Sequence, residues 1–253
     1  MAGKGLDVLY YDNHLLVVCK GQGVLAQADA TGDCDLLSLA KSFIKTRFKR
    51  RGNVYLGLVH RLDRPVSGVM VLARTTKAAS RLSAQFRAGM PEKKYLALVE
   101  GSCSGSGTCC DYLVKENRRV MITDAAHPRA RYAELCWRSA AQGQGLTLLE
   151  VDLKTGRPHQ IRIQLSHMGF PVLGDMRYGA RREFDGKNLA LHCFLIGIVH
   201  PVKKEPVQWT APPPPAWHSY FSREIEAILE HREKTEPSDL TKAPCTKKRH
   251  TTS

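Results

Sequence analysis

The sequence lacks the features that mark membrane-spanning, secreted and disulfide-stabilised proteins. No apolar run approaches the ~18 residues that a membrane-spanning helix needs. Residues 1–10 contain neither the apolar core of a signal peptide nor an arginine-rich amphipathic presequence. The eight cysteines follow no disulfide-framework spacing, and a chain of 253 residues can bury a core without cross-links. We therefore expect an intracellular, cytoplasmic protein that contacts no membrane, with nuclear and organellar locations left open.

Acidic residues are scarce relative to basic ones. Lys and Arg total 38 against 24 Asp and Glu, for a formal net charge of +14. Such a charge favours a polyanionic partner, because each cation placed on a phosphate releases condensed counterions. The excess is carried by residues 41–51 (+6), 154–182 (+5) and 232–253 (+3), so most of it lies in sequence that can fold. A nucleic acid is the expected partner class, and a basic tail for solubility or targeting is the alternative.

The first basic segment overlaps a predicted amphipathic helix with Asp35 as its candidate N-cap. Its apolar stripe consists of Leu36, Leu39, Ala40 and Phe43. A second face carries three lysines spaced four residues apart, which are Lys41, Lys45 and Lys49. Like charges at this spacing repel by a few tenths of a kcal/mol per pair. They are candidate RNA contacts, and an ordinary solvated face is the alternative.

The rest of the pattern predicts short strands with a few helices between them. Strands are expected at 8–11, 14–19, 54–60, 69–73, 94–100, 130–138, 145–153 and 189–199. Further helices are expected at 77–88, 160–167 and 221–229, a surface loop at 101–108 and a turn at 140–144. Because strict βαβ alternation is absent, we expect a mixed α/β or α+β fold with a mixed, largely antiparallel sheet and flanking helices.

The segment from His60 to Gly68 is the strongest candidate for a catalytic site. It places Asp63 between Arg61 and Arg64, in a polar turn at the exit of a predicted strand. Guanidinium groups this close favour the ionised carboxylate, which would keep Asp63 available as a nucleophile or base. For the bare pattern, the alternative is a loop acid in a surface ion pair.

These residues resemble the signature of the RluA-type pseudouridine synthases. Further motifs follow in the order of that family: Lys94–Gly101 with Tyr95 at its tyrosine position, Thr155–Arg162, Pro171–Asp175 and Leu189–His192. The resemblance extends from about Leu6 to Phe221, and several motifs in register make chance improbable. It implies a pseudouridine synthase fold with a central RNA-binding cleft. Residues 1–231 would form the catalytic domain and residues 232–253 a disordered basic tail.

The resemblance also implies the reaction. Specific uridines in structured RNA, ribosomal or transfer, would be isomerised to pseudouridine. Neither a cofactor nor a metal is implied, in agreement with the lack of a phosphate-binding or dinucleotide-binding glycine motif. Asp63 would attack the base or C1′, or would abstract a proton at C2′.

Cys103, Cys109 and Cys110 lack zinc-site spacing, and we expect them to be free.

Further residues acquire expected roles through the resemblance. Arg162 would pair with Asp63 and hold its orientation. Tyr95 would stack on the target uracil and carry a proton at C5. Arg61 would fill the gap left by the flipped uridine, and Arg64 would contact phosphate. Two more candidate RNA ligands lie at the start of the helix predicted at 160–167, Arg157 and His159.

Some family features are missing from the chain. Gly21, Val66 and Gln164 stand where Pro, Thr and His are usual in the family. No segment before Leu6 could hold the S4-like RNA-binding domain of some relatives, so RNA binding is expected from the catalytic domain itself. We expect a monomer. Two alternatives to an enzymatic function stay open. One is a catalytically silent RNA-binding or ribosome-assembly protein on the same fold, and the other is a protein-interaction module with incidental basic segments.

Overall fold

Residues 5–117 and 119–234 are described by the structure, which is a computed structural model. They fall into two units, of which unit 1 contains residues 5–91 and 193–214 and unit 2 contains 92–192 and 215–234, without residue 118. The single catalytic domain expected for residues 1–231 stays a prediction. Most of the tail expected to be disordered lies outside the described residues, and its first two residues end a helix.

Eleven strands and four α-helices make up the described part of the chain. In chain order they are β1 (Asp7–Tyr11), β2 (Leu15–Lys20), α1 (Leu36–Arg47), β3 (Gly57–Leu58), β4 (Ser67–Ala73), α2 (Thr76–Arg87), β5 (Glu92–Glu100), β6 (Ser106–Glu116), β7 (Arg119–Thr123), β8 (Arg131–Gly143), β9 (Leu146–Leu153), α3 (Gln160–His167), β10 (Leu191–Val199), β11 (Pro206–Thr210) and α4 (Ser222–Glu233). This composition confirms the α+β class. None of the described helices is long and apolar enough to cross a bilayer.

Unit 1 is built on strands in the order β1-β2-β4-β10-β11, with β3 paired to β4. β2 and β4 pair antiparallel, from Leu15 opposite Ala73 to Lys20 opposite Gly68. Both strands are nearly continuous apolar runs whose residues are buried without alternation, as expected for strands covered on both faces. Helix α2 packs on β4 through the buried side chains of Ala78 and Leu82.

Helix α1 confirms the predicted cap and corrects the predicted lysine row. The Asp35 carboxylate accepts a hydrogen bond from the Ser38 N–H at 3.1 Å, so it caps the helix as expected. The helix ends at Arg47, and Lys49 lies beyond it with a left-handed φ of 47°. Only Lys41 and Lys45 therefore share a helical face. Phe48, which follows the last helical residue, packs its ring on Tyr11.

Unit 2 contains strands in the order β5-β9-β8-β6-β7, each pair antiparallel. The buried Glu150 of β9 joins this sheet to α4. Its carboxylate pairs with Arg138 of β8 at 2.7 Å and with Arg232 of α4 at 2.6 Å. Burial by itself raises the pKa of Glu150, but the two guanidinium groups outweigh burial and lower it overall. The helix at the end of the described chain is thus tied to the sheet by a charged pair.

Three expectations about strands and loops were wrong. Of the strand expected at 54–60 only β3 forms, because just Gly57 and Leu58 find partners on β4. The loop expected at 101–108 ends before Ser106, where β6 begins, and neither β6 nor β7 was predicted. The turn expected at 140–144 is shorter, since β8 continues to Gly143. In each case strand pairing, with an adjacent or a distant strand, decides the backbone conformation, which local composition does not report.

Candidate active site

The segment that carries Asp63 connects β3 to β4 in unit 1. The side chains of Leu62 and Val66 are buried and anchor the segment, and Asp63 between them is half-buried. The Val66 N–H donates to the Asp63 carbonyl oxygen at 3.1 Å, which closes a tight turn. Arg61 is exposed. The turn therefore fixes the backbone of Asp63 from both sides and leaves its carboxylate at the edge of the buried region.

His60 fixes the start of the same turn. Its Nε2 atom accepts a hydrogen bond from the Val71 N–H of β4 at 2.9 Å. Its ring stacks on Phe86 of α2, with centroids 4.7 Å apart and an interplanar angle of 12°. An accepting Nε2 requires a neutral ring with its proton on Nδ1. His60 thus anchors the turn that carries Asp63 to a strand and a helix.

Lys20 is a residue of the Asp63 region that sequence reasoning missed. Its side chain is fully buried at the end of β2. Its Nζ donates to the carbonyl oxygens of Gly21 at 3.0 Å, Val24 at 2.8 Å and Arg64 at 3.1 Å. These three acceptors match the three donors of an ammonium group. The lysine thereby ties the chain that follows Asp63 to the chain that follows β2.

The charge of Lys20 is coupled to that of Asp63. Burial lowers the pKa of the Lys20 ammonium to about 7, and the Asp63 carboxylate acts in the opposite direction. The sequence suggested flanking arginines as the cations that influence Asp63. Lys20 could have been noticed in the sequence because it ends the apolar run of β2. Burying a charge at such a position costs free energy unless the charge is compensated.

Arg64 is held by unit 1 itself. Its Nη2 atom forms a salt bridge with Asp33 at 2.7 Å, and its Nε donates to the Gly23 carbonyl oxygen at 3.0 Å. Its side chain is still 45% exposed, and the phosphate contact expected for Arg64 stays a prediction. Arg61 and Arg64, the two arginines beside Asp63, are both exposed.

Unit 2 contains the other two residues expected to act in catalysis. Tyr95 lies in β5 opposite Val151 of β9 and is 7% exposed. Arg162 lies in α3 and is also buried. Its Nε donates to Oδ2 of Asp175 at 2.6 Å and its Nη2 to Oδ1 at 2.8 Å, a bidentate pair. The pairing of Arg162 with Asp63 that the family resemblance implies stays a prediction.

Asp175 is a further residue to which the sequence assigned no role. Its side chain is 1% exposed, and it follows Gly174, whose φ of +85° turns the chain sharply. The guanidinium carbon of Arg162 also lies 5.0 Å from the centre of the Tyr178 ring, a cation–π distance. Arg162 is therefore fixed in one orientation by Asp175 on its edge and by Tyr178 on its face.

The two ligands predicted at the start of α3 are differently engaged. Arg157 is half-buried, and its Nε donates to the Tyr132 carbonyl oxygen at 2.8 Å. His159 precedes the helix with a left-handed φ of 52°, and its Nδ1 lies 2.7 Å from the Tyr178 hydroxyl. The Arg157 N–H donates to the side chain of Gln160 at 3.0 Å. Phosphate binding at this helix end thus stays a prediction. Two of the donors expected to bind phosphate, the Nε and the N–H of Arg157, already form hydrogen bonds within unit 2.

The cysteines expected to be free are free in the structure. Cys103 and Cys109 are buried and Cys110 is exposed, and none of the three forms a disulfide. Burial raises the pKa of the Cys109 thiol to about 12, which makes it a poor nucleophile. The described residues contain no cluster of three or more His, Cys, Asp or Glu side chains that could hold a metal ion.

Most of the residues that form these arrangements lie within the match to a known family, and Asp175 and Tyr178 follow it in the chain. The family model described as RNA pseudouridylate synthase matches residues 14–167, a range that includes Lys20, Asp63, Tyr95 and Arg162. The chain belongs to the RNA pseudouridylate synthase family. This confirms the RluA-type resemblance of the sequence motifs and places the chain in a family of isomerases.

Similar proteins of this family occur in bacteria. Ribosomal large subunit pseudouridine synthase D of Xanthomonas campestris is 34% identical over 222 residues, which cover 83% of this chain and 66% of that protein. An uncharacterized RNA pseudouridine synthase of Bacillus subtilis is 31% identical over 212 residues, covering 83% of this chain and 69% of that protein. The chain thus spans about two thirds of the length of these relatives.

Solved structures confirm the fold of the family. Human RNA pseudouridylate synthase domain containing 1 matches with a TM-score of 0.70 and 21% identity, covering 92% of this chain and 96% of that chain. Human RNA pseudouridylate synthase domain containing 4 matches with a TM-score of 0.69 and 20% identity, covering 88% and 93%. At this level of identity the match establishes the fold, and the site residues rest on the sequence and on the geometry above.

Replacing Arg162 with lysine is expected to lower both stability and turnover. Lysine keeps the positive charge, but its ammonium cannot span both oxygens of Asp175 as the guanidinium does. We expect a loss of about 1–2 kcal/mol in the free energy of unfolding, because one charged hydrogen bond is lost. We also expect about tenfold slower turnover if the orientation of Arg162 matters for the reaction.

Urea denaturation and single-turnover kinetics on the same preparation measure the two effects. Arg177→Lys is the matched control, because Arg177 is exposed and close in the chain to Asp175. It should change stability by less than about 0.5 kcal/mol. Equal stability of wild type and Arg162→Lys would show that the bidentate geometry contributes nothing.

Proposed function

We propose that this protein isomerises specific uridines in RNA to pseudouridines, with Asp63 as the residue that acts on the nucleotide. The observation that carries the proposal is the setting of Asp63. It occupies a half-buried position in a closed turn, between the buried anchors Leu62 and Val66, within the segment that the family model matches. A carboxylate in an ordinary surface ion pair needs no such anchoring.

The reaction conserves all atoms of the nucleotide. The bond between N1 and C1′ breaks, the uracil turns, and a bond between C5 and C1′ forms, while C5 loses a proton and N1 ends with one. In one route Asp63 attacks the base or C1′, and in the other it removes a proton from C2′. Both routes need an ionised carboxylate on Asp63.

The partner roles follow from the same proposal. Tyr95 stacks on the uracil and moves the proton at C5. Arg162, oriented by Asp175, steadies the Asp63 carboxylate. RNA is contacted by Arg61, Arg64, Arg157, His159, Lys41, Lys45 and Lys49. The central cleft remains a prediction of the family resemblance, and the monomeric state and the cytoplasmic location remain predictions from the sequence.

Ribosomal RNA is the substrate class that we favour over transfer RNA. The Xanthomonas relative is named for the large ribosomal subunit, and so is pseudouridine synthase C of Buchnera aphidicola, which is 33% identical over 220 residues, covering 81% of this chain and 67% of that protein. Large-subunit ribosomal RNA is therefore the first place in which to look for the modified uridine.

The proposal is tested by mapping pseudouridine across total RNA in cells that lack the protein. One or more sites should disappear on deletion and should return with the wild-type chain but not with Asp63→Ala. If deletion removes no site, the chain does not modify cellular RNA under those conditions. If Asp63→Ala restores every lost site, Asp63 does not act on the nucleotide, and the proposed chemistry is wrong.

A further inference from the structure

An open cavity of about 490 Å³ lies in unit 1 between helix α1 and the segment that leads into β3. Its lining residues are Lys41, Ser42, Lys45, Asn53, Val54 and Tyr55. The volume falls within the range of pockets that hold small organic groups, about 300–1,000 Å³. The lining is polar and cationic, apart from Val54 and the tyrosine ring. The cavity therefore suits an anionic ligand that also carries a flat apolar part.

The cationic wall of this cavity is electrostatically unbalanced. Lys41 and Lys45 lie one helical turn apart on α1, in a segment, residues 41–51, with six cations and no acid. No carboxylate lines the cavity. Within the described part of the chain, neither lysine forms a salt bridge. Two neighbouring ammonium groups without an internal counter-charge attract phosphate.

The opposite wall presents an aromatic ring to solvent. Tyr55 is 47% exposed, the most exposed aromatic side chain among the described residues. Its hydroxyl end rests against Gly57, where an added Cβ would come within 2.9 Å of both the Tyr55 oxygen and Ala79. The glycine thus lets the end of the ring pack down while much of the side chain stays accessible. Accessible aromatic faces beside cations are the pattern on which unpaired bases stack.

We propose that this cavity is a subsite for one unpaired nucleotide of the RNA substrate. Lys41 and Lys45 bind the phosphates on either side of the nucleotide, Tyr55 stacks on its base, and Asn53 offers an amide to the base edge. The inference rests on the proposed function for the identity of the polymer. It adds a site that is distinct from the one that holds the reacting uridine.

The position of the cavity in the chain supports a single RNA that reaches both sites. Tyr55 precedes Asp63 by eight residues, so their Cα atoms are at most about 29 Å apart. Both belong to unit 1. A base held by Tyr55 would therefore lie on the same strand as, or on a strand close to, the uridine presented to Asp63. The subsite would select targets that carry an unpaired nucleotide near the modified position.

Direct binding of an unstructured 15-nucleotide RNA of mixed sequence tests the subsite without requiring turnover. Fluorescence anisotropy of the labelled RNA should show about tenfold weaker binding for Tyr55→Leu, because one base–aromatic stack is lost. Tyr55→Phe should bind like the wild type, since it keeps the ring. Tyr112→Leu, at an exposed tyrosine of unit 2, is the matched control and should leave affinity unchanged.

The lysines are tested by the salt dependence of the same binding. The double variant Lys41→Ala/Lys45→Ala should reduce the slope of log K against log salt by about 1.4, the value expected when two phosphate contacts to a single strand are lost. A double variant with the same charge loss elsewhere, Lys77→Ala/Lys115→Ala, should leave the slope within about 0.3 of wild type. Both control lysines are exposed.

The outcomes separate this inference from the proposed function. If Tyr55→Leu binds like Tyr55→Phe, or if both lysine pairs change the slope equally, the cavity is not a nucleotide subsite. Competition by free AMP or UMP as strong as competition by the RNA would mean a mononucleotide site, which also overturns the proposal. If these binding effects appear while deletion removes no pseudouridine, the subsite stands and the catalytic proposal fails.

Discussion

Replacing Asp63 with asparagine is expected to reduce turnover by at least about 10⁴-fold while RNA affinity changes less than about twofold. The amide has the shape of the carboxylate, but it is neither a nucleophile nor a base at neutral pH. The turn should survive, because Leu62, Val66 and the backbone hydrogen bond that closes it are untouched. The Lys20 ammonium also keeps its three carbonyl acceptors.

The measurement follows the proton that the reaction removes from C5. RNA labelled with tritium at uridine C5 should release the label with the wild-type chain and not with Asp63→Asn, under single-turnover conditions. Asp7→Asn, at an exposed position on β1, is the matched control and should retain turnover within about twofold. Release at a normal rate from Asp63→Asn and Asp63→Ala would move the chemistry to another residue. A large loss of RNA affinity would make Asp63 a binding residue instead.

Replacing Gly68 with alanine is expected to destabilise the protein by more than about 4 kcal/mol. Gly68 is the second residue of the buried strand β4 and has a φ of +131°, which side-chain-bearing residues rarely adopt. An added Cβ would overlap the carbonyl oxygen of Cys193 in β10 and lie 2.5 Å from its nitrogen. The clashing atoms belong to the backbone of a paired strand, so no side-chain rotation can relieve the clash. The added methyl group would push β4 and β10 apart. The turn that holds Asp63 would lose its support.

Urea denaturation, followed by far-UV circular dichroism, measures this loss through the shift of the midpoint. Gly32→Ala separates backbone strain from the steric clash. Gly32 also has a positive φ, +72°, but no atom lies within 4 Å of the position of an added Cβ. Gly32→Ala should therefore cost about 1 kcal/mol. If Gly68→Ala costs no more than Gly32→Ala, then close packing against Cys193 does not limit the residue at position 68. If the variant is insoluble, thermal unfolding of Gly68→Ala in cell lysate gives the same comparison.

Local features of this protein could be predicted from its sequence. Helix α1 and its Asp35 cap were predicted because a helix and its cap are encoded by residues a few positions apart. The helix α3 was predicted at its observed bounds for the same reason. The site motifs were also visible in the sequence, because catalytic chemistry restricts residue types more strictly than packing does.

Long-range pairing was not predictable in the same way. β6 carries polar residues and two adjacent cysteines, a composition typical of a loop, yet it pairs with β8 over eight residue positions. Backbone hydrogen bonds do not depend on side-chain identity, so a partner strand can impose an extended conformation on such a segment. β3 is the opposite case. Its neighbours have strand-like composition but find no partner beyond two residues.

By itself, the sequence determined the family, the α+β class, the polyanionic partner class and Asp63 as the candidate catalytic residue. These depend on residue identity and on spacing along the chain. Only the tertiary structure decided that Lys20 is buried within the field of Asp63, that Asp175 holds Arg162, and that Tyr55 faces Lys41 and Lys45 across a cavity. Each of these three arrangements depends on residues far apart in sequence or on the detailed path of a loop. Folding brings these side chains together through backbone geometry that no local sequence pattern specifies.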